Sequence, residues 1–316
     1  MKYIHIVLIS SFAYILFTSC KKDFTEHPIQ AHSKTSGNLV TASRPNIVFI
    51  VGDDIGYEIP TCNGGRSYST PTIDSLAKSG IRFTQCYGSA NCSPARFMLL
   101  TGKYNFRNYT AWGVMDRSQR TIGNMLRDAG YATCYAGKWQ LDGGDTSIRT
   151  FGFDNYSVWL PYKVEPEELE GSRYKSAHLY EAGAFLPSSS TQDKYSVDIF
   201  TSYALDFIDS NKQQPFFLYY AIPLCHKKFT PTPDDPEYAT WDYATGSQKF
   251  LAGMVMYMDK QVKILSDKIQ ALGLQNNTVF IFAGDNGTAK GVVSQFNDTT
   301  VAGGKGQTTT YGTHVP

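Results

Sequence analysis

Residues 46–54 read Asn46-Ile47-Val48-Phe49-Ile50-Val51-Gly52-Asp53-Asp54. Positions 47–51 are apolar without alternation, which fits a strand covered on both faces, as in a parallel sheet. Gly52 ends the run and two adjacent carboxylates follow. The pattern returns downstream: Ala132 to Ala136 and Pro215 to Ile222 read as buried strands, and Asn277 to Ala283 runs into Gly284-Asp285-Asn286. Helical spacing lies between them. Thr72 to Ser79 is stopped by Gly80 and Thr121 to Ala129 by Gly130. Phe250 to Leu272 repeats Leu251, Met254, Val255, Met258, Val262, Leu265, Ile269 and Leu272 along one face. Ile81 to Tyr87 reads as one more strand. This alternation predicts an α/β fold: a mostly parallel sheet with helices on both faces. Residues 140–195 break the rhythm, are rich in Tyr, Ser and Glu, and read as an insertion able to wall a pocket.

The chain of 316 residues is long enough for one large core or two modest ones. Its net charge of +1 argues against nucleic acid as a partner, because such proteins work through a broad basic face. The 21 Tyr and 19 Phe suit core and interface filling first, and stacking on sugar rings second. Residues 1–20 are set apart from the fold. Lys2 gives a weak positive start, Ile4 to Phe17 is an apolar run too short for a comfortable membrane span, and Thr18-Ser19-Cys20 closes it. That layout is an export signal, and a Cys after small residues resembles the lipobox of bacterial lipoproteins, with Phe17 a departure from it. The expectation is an exported chain, periplasmic or cell-surface, held at the membrane by lipid on Cys20. Residues 21–44 are polar and aperiodic and read as a tether. Export would permit disulfides among Cys62, Cys86, Cys134 and Cys225, in any of three full pairings.

In parallel sheets, ligands bind beyond the carboxyl ends of the strands. Asp53-Asp54 and Asp285-Asn286 sit at two such ends. Each pair alone reads as a turn or helix cap. Together they offer hard oxygen donors that suit Ca²⁺ or Mg²⁺ and suit zinc poorly. Cys92-Ser93-Pro94-Ala95-Arg96 precedes an apolar helix through Phe97, Leu99 and Leu100. Pro94 belongs in a first helical turn, where its missing N–H costs nothing. Cys92 therefore sits at a helix N-terminus, where the helix dipole favours an anion, with the Arg96 cation close by.

Cys92-Ser93-Pro94-Ala95-Arg96, followed by Leu99-Leu100-Thr101-Gly102, resembles the signature of type I sulfatases of the alkaline-phosphatase superfamily. The resemblance extends through residues 46–57, Ser69-Thr70-Pro71-Thr72-Ile73-Asp74, Gly137-Lys138-Trp139, residues 215–226, Gly284-Asp285-Asn286-Gly287 and Gly303-Gly304-Lys305-Gly306. It implies an alkaline-phosphatase-like fold and a formylglycine nucleophile made from Cys92 by a maturation enzyme. It implies that Asp53, Asp54, Asp285 and Asn286, with the modified Cys92, hold Ca²⁺, or Mg²⁺ in its place. Arg96 would then steady the formylglycine, Lys138 and Lys305 would hold sulfate oxygens, and His226 would protonate the leaving alcohol. One hydroxyl of the hydrated aldehyde would attack sulfur, and the other would later expel sulfate.

Two departures stand out. Gln140 takes the place of a histidine usual in the family, and a Gln amide hydrogen-bonds but does not accept a proton near neutral pH. Residues 303–316 match a segment that normally leads into another strand and a smaller C-terminal domain, so residues 45–316 read as an N-terminal catalytic domain incomplete at its end. That end is expected to leave apolar sheet surface uncovered. The resulting expectation is a hydrolase of sulfate esters, with sulfated carbohydrate as substrate. Its alternatives are a phosphodiester or phosphonate monoester hydrolase, and a sulfoglycan-binding protein without turnover.

Overall fold

A computed structural model describes residues 44–159, 161–162 and 173–316. The expected export signal, with Cys20 as its expected lipid site, and all but the last residue of the expected tether lie outside the described residues.

Strand β1 (Asn46–Gly52) is the apolar run that opens the fold. It is followed by β2 (Ala132–Lys138), β3 (Asn155–Trp159), β4 (Leu179–Glu181), β5 (Ala184–Phe185), β6 (Phe216–Ile222) and β7 (Thr278–Gly284). These form one sheet in the order β5-β4-β3-β2-β6-β1-β7. Strands β3, β2, β6, β1 and β7 run parallel, while β4 and β5 are added antiparallel at one edge. The α-helices are α1 (Pro71–Ser79), α2 (Cys92–Thr101), α3 (Ile122–Asp128), α4 (Gly144–Thr150), α5 (Ser188–Thr191), α6 (Ser196–Asn211), α7 (Leu251–Ala271) and the single turn α8 (Thr310–Thr313). A small antiparallel hairpin of β8 (Val293–Phe296) and β9 (Thr299–Ala302) stands apart from the sheet.

Alternate residues of β6 enter two different apolar layers, which is the period-2 consequence of a pleated strand. Phe216, Leu218, Tyr220 and Ile222 join the layer that packs α6 and α7, through residues such as Phe200, Ile208, Met254, Met258, Val262 and Leu265. Phe217, Tyr219 and Ala221 join the opposite layer with Phe97 and Leu100 of α2, Ile148 of α4 and Phe153. Burying one such side chain stabilises by about 1.5–3 kcal/mol. This explains why β6, between β2 and β1, carries an apolar or aromatic residue at every position. It also settles much of the tyrosine excess: Tyr135, Tyr156, Tyr195, Tyr219 and Tyr220 are fully buried filling.

Three expectations change. Residues 81–87 form no strand. Ile81 and Phe83 are 83% and 70% exposed, and Tyr87 makes only an isolated bridge to His314. An extended segment needs a neighbouring ladder for its N–H and C=O groups, and no described strand offers one there. Residues 140–195 are not simply an insertion, since they supply α4, β3, β4 and β5 and so build one side of the sheet. The cysteines Cys62, Cys86, Cys92, Cys134 and Cys225 are all free. At the other edge of the sheet, β7 leaves Val279 and Ile281 45% and 39% exposed.

Register places the site. Gly52 of β1 pairs with both Ile222 of β6 and Gly284 of β7, and Gly137 of β2 pairs with Ala221 of β6. Four strands therefore end at nearly one level, and the residues following them emerge side by side.

Candidate active site

The carboxyl ends are tied to one another by the main chain. Asp53 N–H donates to Leu224 O at 2.8 Å, Cys225 N–H donates to Asp53 O at 2.6 Å, and Asp285 N–H donates to Gly52 O at 3.1 Å. Two glycines make this approach sterically allowed. A Cβ on Gly284 would lie 2.1 Å from Ile55 O, and one on Gly137 would lie 2.1 Å from Ala221 O, where φ is also +101°. Asp54 turns the chain at φ +61°, a left-handed conformation rare outside glycine, and so brings its carboxylate back over the strand ends.

Cys92 is the first residue of α2 and is buried. One turn on, Arg96 is fully buried and bridges two strand ends: Nη1 donates to Lys138 O at 3.0 Å and Nη2 to Asp285 Oδ2 at 3.1 Å. Its Nη2 also lies 3.8 Å from Asp53 Oδ1. Lys138 Nζ pairs with Asp53 Oδ2 at 2.6 Å, with both side chains fully buried. Lys305 Nζ pairs with Asp54 Oδ1 at 2.5 Å, and Asn286 Nδ2 donates to the same oxygen at 2.8 Å. Three buried carboxylates thus face three cations. Buried charges persist only when paired in this way.

The pairing sorts the carboxyls. Burial raises Asp53, but Lys138, His226 and Arg96 outweigh it and hold the group well below the usual carboxylate range. Burial and the neighbouring Asp53 raise Asp54. The same two causes push Asp285 up to about 7 against the pull of Arg96. Burial disfavours the charge on Arg96, yet Asp285 more than compensates and its pKa rises.

Several oxygens in this cluster are left over. Asp53 Oδ1, Asp54 Oδ2 and Asn286 Oδ1 are buried and have no hydrogen-bond partner among the described residues. Ligand atoms of Asp53, Asp54 and Asp285 all lie within 4.8 Å of one another, and the same holds for Asp53, Cys92 and His226. An orphaned buried oxygen is costly unless something pairs with it. An all-oxygen set from four side chains, with Cys92 beside it, fits a hard divalent cation such as Ca²⁺.

His226 sits on the cavity side. Its Nδ1 is 2.5 Å from Lys227 O, so Nδ1 carries the proton and Nε2 is left facing Asp54 Oδ2 at 3.9 Å. Burial pushes the imidazole down to about 2, against the opposing pull of Asp53. The 223–226 turn is pinned by Tyr174, whose hydroxyl lies 3.0 Å from Pro223 O and 2.7 Å from His226 O. Gln140, at φ +56°, also lines the cavity with a buried, unpartnered Oε1. The structure brings Cys92, Arg96, Lys138, His226, Lys305, Gln140, Asp53, Asp54, Asp285 and Asn286 together around one point.

Above them opens a cavity of about 780 Å³. Its described walls include residues that sequence reasoning did not single out: Trp112, Trp159, Arg173, Lys227, Lys228 and Tyr243. Lys227-Lys228, directly after His226, was a usable signal. Trp112 and Tyr243 carried none, because nothing in their local spacing tells a cavity wall from core filling.

The profile of the family described as Sulfatase matches residues 45–316. An N-acetylgalactosamine-6-O-sulfatase of Bacteroides thetaiotaomicron is 28% identical over 79% of this chain and 60% of its own length. Human arylsulfatase A is 31% identical over 80% of this chain and 54% of its own. The crystal structure of Ps i-CgsB superposes with a TM-score of 0.73 at 27% identity, covering 87% of this chain and 65% of that one. The chain thus spans between half and two thirds of the length of these relatives.

Proposed function

Because the chain belongs to the sulfatase family, we propose that it hydrolyses sulfate esters of carbohydrates, with Cys92 as the precursor of a formylglycine nucleophile. One observation carries the reading. Cys92 opens α2, and Arg96, one turn later, is clamped between Lys138 O and Asp285, which fixes the nucleophile position against the oxygen cluster. The sugar part of the proposal draws on relatives named for N-acetylgalactosamine and N-acetylglucosamine sulfate esters.

Asp53, Asp54, Asp285 and Asn286 would hold Ca²⁺, which supplies Lewis-acid stabilisation of sulfuryl oxygens, while the formylglycine hydrate supplies an oxygen nucleophile. The remaining work falls to the chain's own groups. Lys138 and Lys305 stand with their ammonium groups on Asp53 and Asp54, and Lys305 lines the cavity. They stabilise charge that spreads over the sulfuryl oxygens as the S–O bond breaks. Arg96 keeps its charge despite burial because Asp285 pairs with it, one helical turn after position 92. His226 presents Nε2 to the cavity in a fixed tautomer and starts out neutral. An anionic ester beside it supplies the negative charge that raises its proton affinity, so the proton is taken up with substrate and passed to the leaving oxygen. Gln140, whose Oε1 has no partner among the described residues, would hydrogen-bond a hydrate at position 92 without exchanging a proton.

The test is release of inorganic sulfate from 6-sulfated N-acetylhexosamines and from an aryl sulfate. The protein is produced with a formylglycine-generating enzyme and compared on matched phosphate and phosphonate esters. Sulfate turnover well above phosphate or phosphonate turnover is expected. The reverse preference would replace this reading with the phosphonate monoester one. Tight binding of sulfated sugar with no turnover of any ester would leave a binding protein.

A further inference from the structure

The cavity has two electrostatic layers. In the inner layer, Arg96, Lys138 and Lys305 are each matched by Asp53, Asp54 or Asp285. The outer layer differs. Arg173 donates through Nη1 to Lys227 O at 3.0 Å and lies over the Trp159 ring at 4.6 Å, and its Nε is buried without a partner among the described residues. Lys228 Nζ donates to Ala244 O at 2.6 Å, and Lys227 Nζ donates to Lys290 O. Neutral carbonyls and an aromatic face position these cations without cancelling their charge. None of the three forms an ion pair among the described residues, and Asp242 is the one carboxylate in the described wall. Its Oδ1 is occupied by the Ala244 N–H at 2.9 Å.

We infer that the outer wall of Arg173, Lys227 and Lys228 is a second anion subsite, selecting a sulfated glycan that carries another negative group beside the scissile sulfate. This rests on the sulfated-carbohydrate reading above. The ester's single charge is met by the inner lysines and the oxygen-bound cation, so the outer cations are surplus to the chemistry. They line the same cavity as Cys92 and His226. Half-exposed Trp112, with Tyr243, gives that sugar aromatic surface on the same cavity. The chemistry recognised is a second oxyanion, which a uronate carboxylate or a second sulfate supplies equally.

The experiment is calorimetric binding, in Ca²⁺, to the full chain carrying Cys92→Ala so that no turnover intervenes. Three disaccharides are compared: one with a single sulfate and a neutral neighbour, one with a uronate neighbour, and one with a second sulfate. The last two should bind about 10-fold tighter than the first, because two or three charge-assisted contacts of modest individual strength add. That gain should shrink as salt rises. The uronate and second-sulfate arms then tell which source of the anion is preferred. Lys228→Glu should remove most of the gain and leave the singly sulfated ligand unchanged, which also shows that the variant folds. Lys228→Ala should fall between. Equal affinity for all three ligands, an equal loss on all three in Lys228→Glu, or no binding at all would overturn the inference. Aryl sulfate turnover by the parent chain tests the catalytic reading separately. Its absence alongside a preserved binding gain would remove the catalysis and keep the subsite.

Discussion

The inner and outer layers of the cavity use the same residue types to opposite ends. Inside, each lysine or arginine sits on a carboxylate at 2.5–3.1 Å and is largely or wholly buried. Outside, Lys227, Lys228 and Arg173 rest on backbone carbonyls and form no ion pair among the described residues. Burial decides the difference. An unpaired charge cannot be kept in the interior, so the inner cations come with partners and form a rigid, ligand-independent frame. At the mouth, water screens the charge and pairing is optional, so the wall is free to suit one ligand. On the proposed function the inner layer would fix which bond breaks, and on the proposed subsite the outer layer would fix which molecule carries it.

Breaking the inner layer should have the largest effects. Asp53→Ala removes the partner of Lys138 and one orphaned oxygen of the cation site, and sulfate release should fall about 10³-fold or more. The parent should gain thermal stability on adding Ca²⁺, by mass action on the folded state, and Asp53→Ala should not. Excess chelator should reproduce the loss in the parent. Full activity in chelator would remove the cation from the account.

Arg96→Ala is next. It leaves Asp285 and Asp53 without their bridging cation, a change worth about 3–5 kcal/mol of stability where a buried pair is broken. Chemical denaturation should show that loss, and Arg96→Lys should recover only part of it because one ammonium cannot reach both Lys138 O and Asp285. A denaturation midpoint unchanged in Arg96→Ala would mean that the frame does not depend on this pairing.

Gln140 sits where the two layers meet. With an amide in place of an imidazole, release of sulfate from the modified residue should limit turnover, giving a burst of about one alcohol per modified site and then a slow phase. Gln140→His should speed the slow phase, by up to about 10²-fold if the new ring reaches position 92. Linear product formation from the first turnover would contradict this.

The smallest effect belongs to the wall. Trp112→Ala should raise KM for a sulfated sugar about 3- to 10-fold, the loss of one stacking contact, and leave an aryl sulfate nearly untouched. An equal effect on both substrates would place Trp112 in the frame and not in recognition.

What the sequence revealed follows the same division. Unbroken apolar runs at 47–51 and 216–222 predict strands buried on both faces, and the acidic pairs after β1 and β7 meet because those strands are adjacent and in register. Cys92 to Arg96 could be placed because one helical turn is a fixed distance. Segment 81–87 misled for a physical reason: Ile81 and Phe83 carry strand-like side chains, but a strand exists only with a partner, and pairing is a property of the fold. The antiparallel β4 and β5 were hidden by brevity, being three and two residues long. The outer wall was hidden because Arg173, Tyr243 and Trp112 come from distant segments whose convergence no local pattern records.

The most direct measurement is the mass of the peptide containing Cys92, set beside sulfate release from the same preparation made with and without a maturation enzyme. The account predicts that the Cys92 side chain is replaced by an aldehyde, that turnover scales with the fraction converted, and that Cys92→Ala is inactive. Sulfate release at full rate from protein whose Cys92 remains a thiol would contradict it.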